Sequence, residues 1–228
     1  LCSVILFIVS QYAVTLASNE RNAGLHLEQL ADSLSAIDAQ SRSFLQDLED
    51  EGVTQGVIAE RSAAAVERMK TEFWKEACGI ESQILITDED TNILYTSFGE
   101  SLLSSYLVNY NNAICYKVRQ TVQTEAYRAV YYERGNYSDT MYVQPFYQDG
   151  TLEGFVTVFL SGSAWNFHLS ESNFDGIITD ERDNAMYVSK PGLLGGSNKY
   201  QGVEHGVWRT ENGSRYWVTS HELPELQA

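Results

Sequence analysis

The sequence predicts an α+β chain: a long N-terminal helix followed by two tandem modules with antiparallel sheets, the first larger than the second. Three observations carry this. Leu27, Leu30, Leu34, Ile37, Ser41, Phe44 and Leu48 follow a 3-4-3-4-3-4 spacing, which lays one stripe down a helix. From Ser82 the period switches to two, with frequent turn residues, as half-buried strands require. The stretch Ile86 to Ser97 then returns 92 positions later as Ile178 to Ser189, with seven of its twelve residues matched. Two such hairpins in one chain predict a repeated module.

Residues 1–18 carry no charge and open on Leu1-Cys2-Ser3-Val4-Ile5-Leu6-Phe7-Ile8-Val9, so they are expected to be the downstream end of a membrane helix. Residues 19–78 form the long helical segment. Gly52 is expected to stop its first helix and Thr54 to cap the next, which runs from Gln55 to Ala77 with Ala64, Ala65, Met69, Phe73 and Trp74 on or near its buried side. The first module, 79–162, shows strands at 83–88, 92–97, 125–133, 140–147 and 153–161, with a helix around 111–122 and a hairpin turn at Asp149-Gly150. That order predicts a sheet with helices on one face. The second module, 163–228, begins with a connector that is helical at Trp165-Asn166-Phe167. Strands follow at 176–180, 184–189, 206–210 and 215–221, and the module is expected to continue beyond Ala228.

Lys and Arg number 15 and Asp and Glu 31, a formal charge of −16, which argues against a nucleic-acid surface that must neutralise phosphates. Cys2, Cys78 and Cys115 form no Cys-x-x-Cys, and four histidines are scattered, so no zinc site is expected. A Cys78–Cys115 bridge and two separate buried thiols both remain open. The hairpin acids Asp88, Glu89, Asp90, Asp180, Glu181 and Asp183 lack the loop spacing that wraps calcium and read as surface turns. There is no Gly-rich phosphate loop and no G-x-S-x-G elbow, and His26, His168, His205 and His221 have no nucleophile pattern nearby. No catalytic residue and no cofactor is nominated.

The residues that invite a ligand lie in the first module. Strand alternation puts Arg128, Val130 and Tyr132 on one face, and Tyr142, Gln144 and Phe146 on one face of the next strand. Apolar walls with a few hydrogen-bonding groups suit a small-molecule pocket, expected between the sheet and the 98–122 segment. Tyr106, Tyr110 and Tyr116 are expected to close it from above, and Arg119, on the preceding helix, is a second basic candidate for a ligand contact. Arg128 would grip an anionic ligand bidentately. Its bland alternative is exposure, or pairing with Glu125 or Glu133.

This layout, with its hairpins Ile84 to Ser97 and Ile177 to Ser189, resembles the double-Cache sensor domain of bacterial transmembrane receptors over roughly residues 14 to 228. The resemblance implies an extracytoplasmic, non-catalytic region with a membrane-distal PAS-like module, 79–162, and a smaller proximal one. It implies a small solute bound in the distal module, within 98–147, and a cytoplasmic output, in first place a histidine kinase. A chemoreceptor or diguanylate cyclase is the alternative output, and a non-sensing adhesion or assembly domain is the reading from another class. The amino-acid-binding subgroup uses Tyr, Arg and Trp before the third strand and an Asp further on. Here Arg119 and Arg128 are available, but no Trp lies between Trp74 and Trp165, and Asp139 and Asp149 fall in apparent turns. The expected partners are the small ligand, the membrane through the N-terminal helix, and a second copy through the 25–48 helix.

Overall fold

The uncharged leader and the leucine stripe wind into one continuous helix, α1 (Cys2–Asp50). A computed structural model describes the backbone at residues 2–76, 82–99, 103–122, 124–132, 138–161, 174–179, 185–189, 200, 207–211 and 214–218. Gly52, at φ 71°, ends the first helical run in a left-handed turn that a side chain would disfavour. Leu30, Leu34, Ile37, Ser41, Leu45 and Leu48 are buried within the single chain. The stripe expected to meet a second copy is therefore largely covered by the chain itself. Among the described residues no helix is long and apolar enough to cross a membrane.

The helix expected from Gln55 to Ala77 is two helices, α2 (Val53–Ile58) and α3 (Ala63–Glu76). Arg61 takes φ 52° between them, and the Ser62 hydroxyl accepts from the Ala65 backbone N–H at 3.4 Å, so Ser62 starts the second helix. A Cβ on Gly56 would lie 2.6 Å from the Ala65 Cβ, which is how closely the two helices cross. Thr54 is buried in α2 and Gly52 occupies the cap position instead. The side chains of Phe73 and Trp74 lie outside the described residues.

The chain divides into two compact units, one formed by residues 37–167 and the other by residues 1–36 with 168–227. The 37–167 unit holds β1 (Ser82–Asp88), β2 (Ile93–Thr96), α4 (Ser105–Thr121), β3 (Tyr127–Tyr132), β4 (Ser138–Gln148) and β5 (Thr151–Leu160). The strands form one antiparallel sheet in the order β2-β1-β5-β4-β3. Asp149 and Gly150 turn β4 into β5, both with positive φ, as the two-residue hairpin requires. The α4 helix begins six residues earlier than its sequence pattern suggested. The Ser104 hydroxyl accepts from the Leu107 N–H at 3.2 Å, and this cap recruits an Asn-rich first half of weak intrinsic propensity.

Helices cover both faces of this sheet rather than one. On one face Leu107, Cys115 and Val118 of α4 pack on Leu85, Met141, Val143, Phe155 and Phe159. The opposite face carries Tyr142, bonded to Asp38 of α1, and Gly154, beside Ile58 of α2. Asp88 is buried rather than a surface turn residue. Its carboxylate accepts from the Asp90 N–H at 3.0 Å, the Asn92 N–H at 2.8 Å and the Asn92 side-chain amide at 2.9 Å, which organises the β1–β2 turn.

The other unit contains α1 up to residue 36 and two hairpins, β6 (Ile177–Thr179) with β7 (Ala185–Val188) and β8 (Val207–Glu211) with β9 (Ser214–Val218). Here the sequence repeat is a repeat of geometry. The pairs Leu85↔Thr96, Ile86↔Tyr95 and Thr87↔Ile93 return as Ile177↔Val188, Ile178↔Tyr187 and Thr179↔Ala185, with the same register shift at the same place. The Ser97 hydroxyl accepts from the Ile84 N–H at 2.8 Å while the Ser97 N–H donates to the Ile84 carbonyl at 3.0 Å. Ser189 makes the same two bonds to Gly176, at 2.9 and 2.9 Å. Asp180, Glu181, Asp183, Cys78 and most of the 163–174 connector lie outside the described residues.

Candidate functional site

Two polar constellations sit on opposite faces of the five-stranded sheet. On the α4 face, the fully buried Asn111 amide oxygen accepts the Thr157 hydroxyl at 2.8 Å, and its amide nitrogen lies 3.6 Å from the Cys115 Sγ. Thr87 pairs across from Phe155 on this face, and its hydroxyl is buried without a hydrogen-bond partner among the described residues. Buried polar groups in an apolar layer cost free energy unless they are satisfied, so such a cluster fixes either packing or an incoming ligand.

On the α1 face Asp38 is the centre. Its carboxylate accepts from Arg42 Nε at 2.9 Å, from the Tyr142 hydroxyl at 2.8 Å and from Arg128 Nη1 at 3.4 Å. Arg42 also donates to the Ala126 carbonyl at 2.6 Å, and its guanidinium lies 5.7 Å from the Tyr142 ring centre. The side chains of Asp38 and Arg128 are only 14% and 16% exposed. Burial, reinforced by the Asp38 carboxylate, pushes the Tyr142 hydroxyl above its ordinary range, which keeps it a donor. Beside this cluster the Gln144 amide donates to the Thr124 carbonyl at 2.8 Å.

The residues expected to line one pocket are divided between two faces of the sheet. Arg128, Tyr142, Gln144 and Phe146 share a face as strand alternation requires, but α1 and α2 cover that face, not the 98–122 segment. Arg128 pairs with Asp38, ninety residues away, and Glu133 lies outside the described residues. Tyr116 is 60% exposed on the outside of α4, where its hydroxyl accepts from Gln120, and Arg119 is exposed in the last turn. The layer between α4 and the sheet is packed with the side chains named above. Sequence reasoning missed Asn111, Thr157 and Asp38. An i,i+4 Asp38–Arg42 pair adjoining Ile37, Ser41 and Leu45 was the available signal for the last.

Cys115 is a free, fully buried thiol, pushed up to about 12 by burial from an ordinary 9.0. The folded chain therefore keeps a proton that the unfolded chain releases. This contribution to stability is complete below pH 9 and is lost as pH climbs toward 12. The urea midpoint is expected to fall more steeply above pH 9 in the native chain than in Cys115→Ala, and parallel curves would contradict this. With Cys2 and Cys78 replaced by serine, Cys115 is expected to resist a thiol reagent at pH 8 until the chain unfolds.

Comparison with family models and with curated proteins gives no match. Solved structures do match in fold. The sensory domain of the Campylobacter jejuni chemoreceptor Tlp3, with isoleucine bound, aligns over 91% of this chain and 87% of its own at TM-score 0.57 and 12% identity. The sensor domain of the Vibrio cholerae histidine kinase DctB aligns over 79% of this chain and 69% of its own at TM-score 0.53 and 12% identity. An extracellular ligand-binding receptor from Desulfohalobium retbaense aligns over 83% of this chain and 36% of its own at TM-score 0.54 and 17% identity. The chain has the α+β fold of these sensory domains.

Proposed function

We propose that this chain is an extracytoplasmic ligand-sensing domain of a membrane receptor, of the chemoreceptor or histidine kinase kind, built as a double-Cache pair. The observation that carries the reading is the likeness to the isoleucine-bound chemoreceptor domain across 91% of the chain. The recurrence of one hairpin, bond for bond, supports the two-module layout. The ligand is a small solute with hydrogen-bonding groups, an amino acid in first place, taken up on the α4 face when α4 lifts from its packed layer and frees Asn111, Thr157 and Thr87 to bind it. Arg128, Tyr142, Gln144 and Phe146 then act from behind the sheet rather than as ligand contacts, and α1 leads toward the membrane.

A thermal-shift screen of amino acids, organic acids, amines and purines tests this. A ligand at a hundred times its Kd adds about 2.7 kcal/mol to the folded state, which raises Tm by several degrees. At least one amino acid is expected to do so, and Thr157→Val is expected to abolish the shift, while the unliganded fold loses about 1–3 kcal/mol because the buried Asn111 amide oxygen is left without its donor. Silence across all four classes overturns the sensing reading. A shift that survives Thr157→Val and Asn111→Leu but is lost on changing Arg128 returns the site to the α1 face.

A further inference from the structure

We infer that the segment leading into β3, Thr124 to Arg128, is a mechanical link between α4 on one face of the sheet and α1 on the other, so that a shift in the seating of α4 is passed to α1 around Asp38 and Arg42. The link rests on the sensing reading for its use, but its existence is a matter of geometry.

The two ends of the link are both held. At the α4 end the helix closes at Val122, whose φ of 50° turns the chain in a left-handed cap with its N–H on the Arg119 carbonyl. Two residues later Thr124 is gripped by Gln144 of β4, and then Ala126 by Arg42 of α1. The next two residues are held from opposite sides. Lys117 of α4 donates to the Tyr127 hydroxyl and lies over its ring, while Asp38 of α1 takes the Arg128 guanidinium. Successive side chains of a strand point to opposite faces, so β3 meets one helix through Tyr127 and the other through Arg128.

Position in the sheet leaves this strand, like β2 at the other edge, freer to move than the strands between them. Its only described neighbour is β4, whereas β1, β5 and β4 are each held on two sides. Few peptide units separate the α4 cap from the Arg42 contact, so a displacement of α4 has little slack to disappear into. Coupling through such a path needs a chain of contacts, and the described ones run from Val122 on Arg119 through Thr124 and Ala126 to Arg128 on Asp38.

Native-state hydrogen exchange at the backbone amides of residues 38–45, read without any ligand, tests the link. Val118→Ala loosens α4 on its core, and Leu85→Val loosens the same core from β1. Compared at equal global stability, Val118→Ala is expected to speed exchange at 38–45 about fivefold more than Leu85→Val. Adding Arg42→Met and Arg128→Met, which removes both anchors of the segment on α1, is expected to remove the difference. Equal exchange in the two single variants overturns the link, as does a difference that survives loss of both anchors. A failed ligand screen does not touch this measurement, and a failed exchange result does not touch the screen.

Discussion

Asp38→Ala is expected to destabilise the 37–167 unit by about 3–5 kcal/mol, among the largest effects of any single substitution. The loss is large because the partners stay behind. Arg128 remains as a mostly buried cation, Tyr142 as a buried hydroxyl without its acceptor, and Arg42 loses its nearest carboxylate. Arg42, 38% exposed, contributes less, because solvent screens what it loses. Asp38→Asn keeps an acceptor for Tyr142 and is expected to lose less. Asp38→Leu with Arg128→Met, which removes both buried charges, is expected to lose less than Asp38→Ala. Urea unfolding gives the comparison. A loss below about 1 kcal/mol for Asp38→Ala would place the pair effectively in solvent.

Gly154→Ala is expected to be comparably damaging for a different reason. The added Cβ would lie 2.3 Å from the Thr87 carbonyl oxygen, 3.0 Å from Ile58 Cγ2 and 3.2 Å from the Asp88 Cα. Two of these three are backbone in the paired strand β1, which cannot rotate aside. A cost of roughly 3 kcal/mol, overpacking at its upper range, lowers Tm by about 6–12 °C in a domain of this size. Gly24→Ala is the control. Gly24 lies inside α1 with nothing within 4 Å of its missing Cβ, and the substitution is expected to gain up to about 1 kcal/mol in helix propensity. A Gly154→Ala chain that melts with the native one would mean that β1 and β5 can separate at that point without loss.

Much of the 37–167 unit was legible because local chemistry determines it. Alternation assigned Arg128, Tyr142, Gln144 and Phe146 to one face, Gly52 marked its helix end, and Asp149-Gly150 marked its hairpin. What alternation does not encode is which helix covers which face. The contacts that decide it join Asp38 to residues 90 and 104 positions away, far beyond any periodic window. For the same reason Asp38 reads in isolation as a solvated acid on a helix. The break between α2 and α3 was hidden differently. Residues 55 to 77 are acceptable to a helix throughout, and a close crossing at Gly56 and Ala65, with Arg61 turned left-handed, overrides that local preference. The buried site residues Asn111 and Thr157 carry no local signal at all, since an Asn in a helix and a Thr in a strand are ordinary until they face each other across a core.

The Asp38 cluster also bears on how this protein behaves in a crowded solution. Strand β3 ends the sheet among the described residues, and an end strand offers free backbone groups to any extended chain that drifts past. Arg128 points inward from that strand into its carboxylate. A stranger pairing along β3 would have to flatten the strand and pull a guanidinium away from its counter-ion, a cost with no matching gain. Weakening Asp38 therefore removes a guard as well as a brace, and the Asp38→Ala chain is expected to form fibrils or precipitate on warming at concentrations where the native chain stays clear.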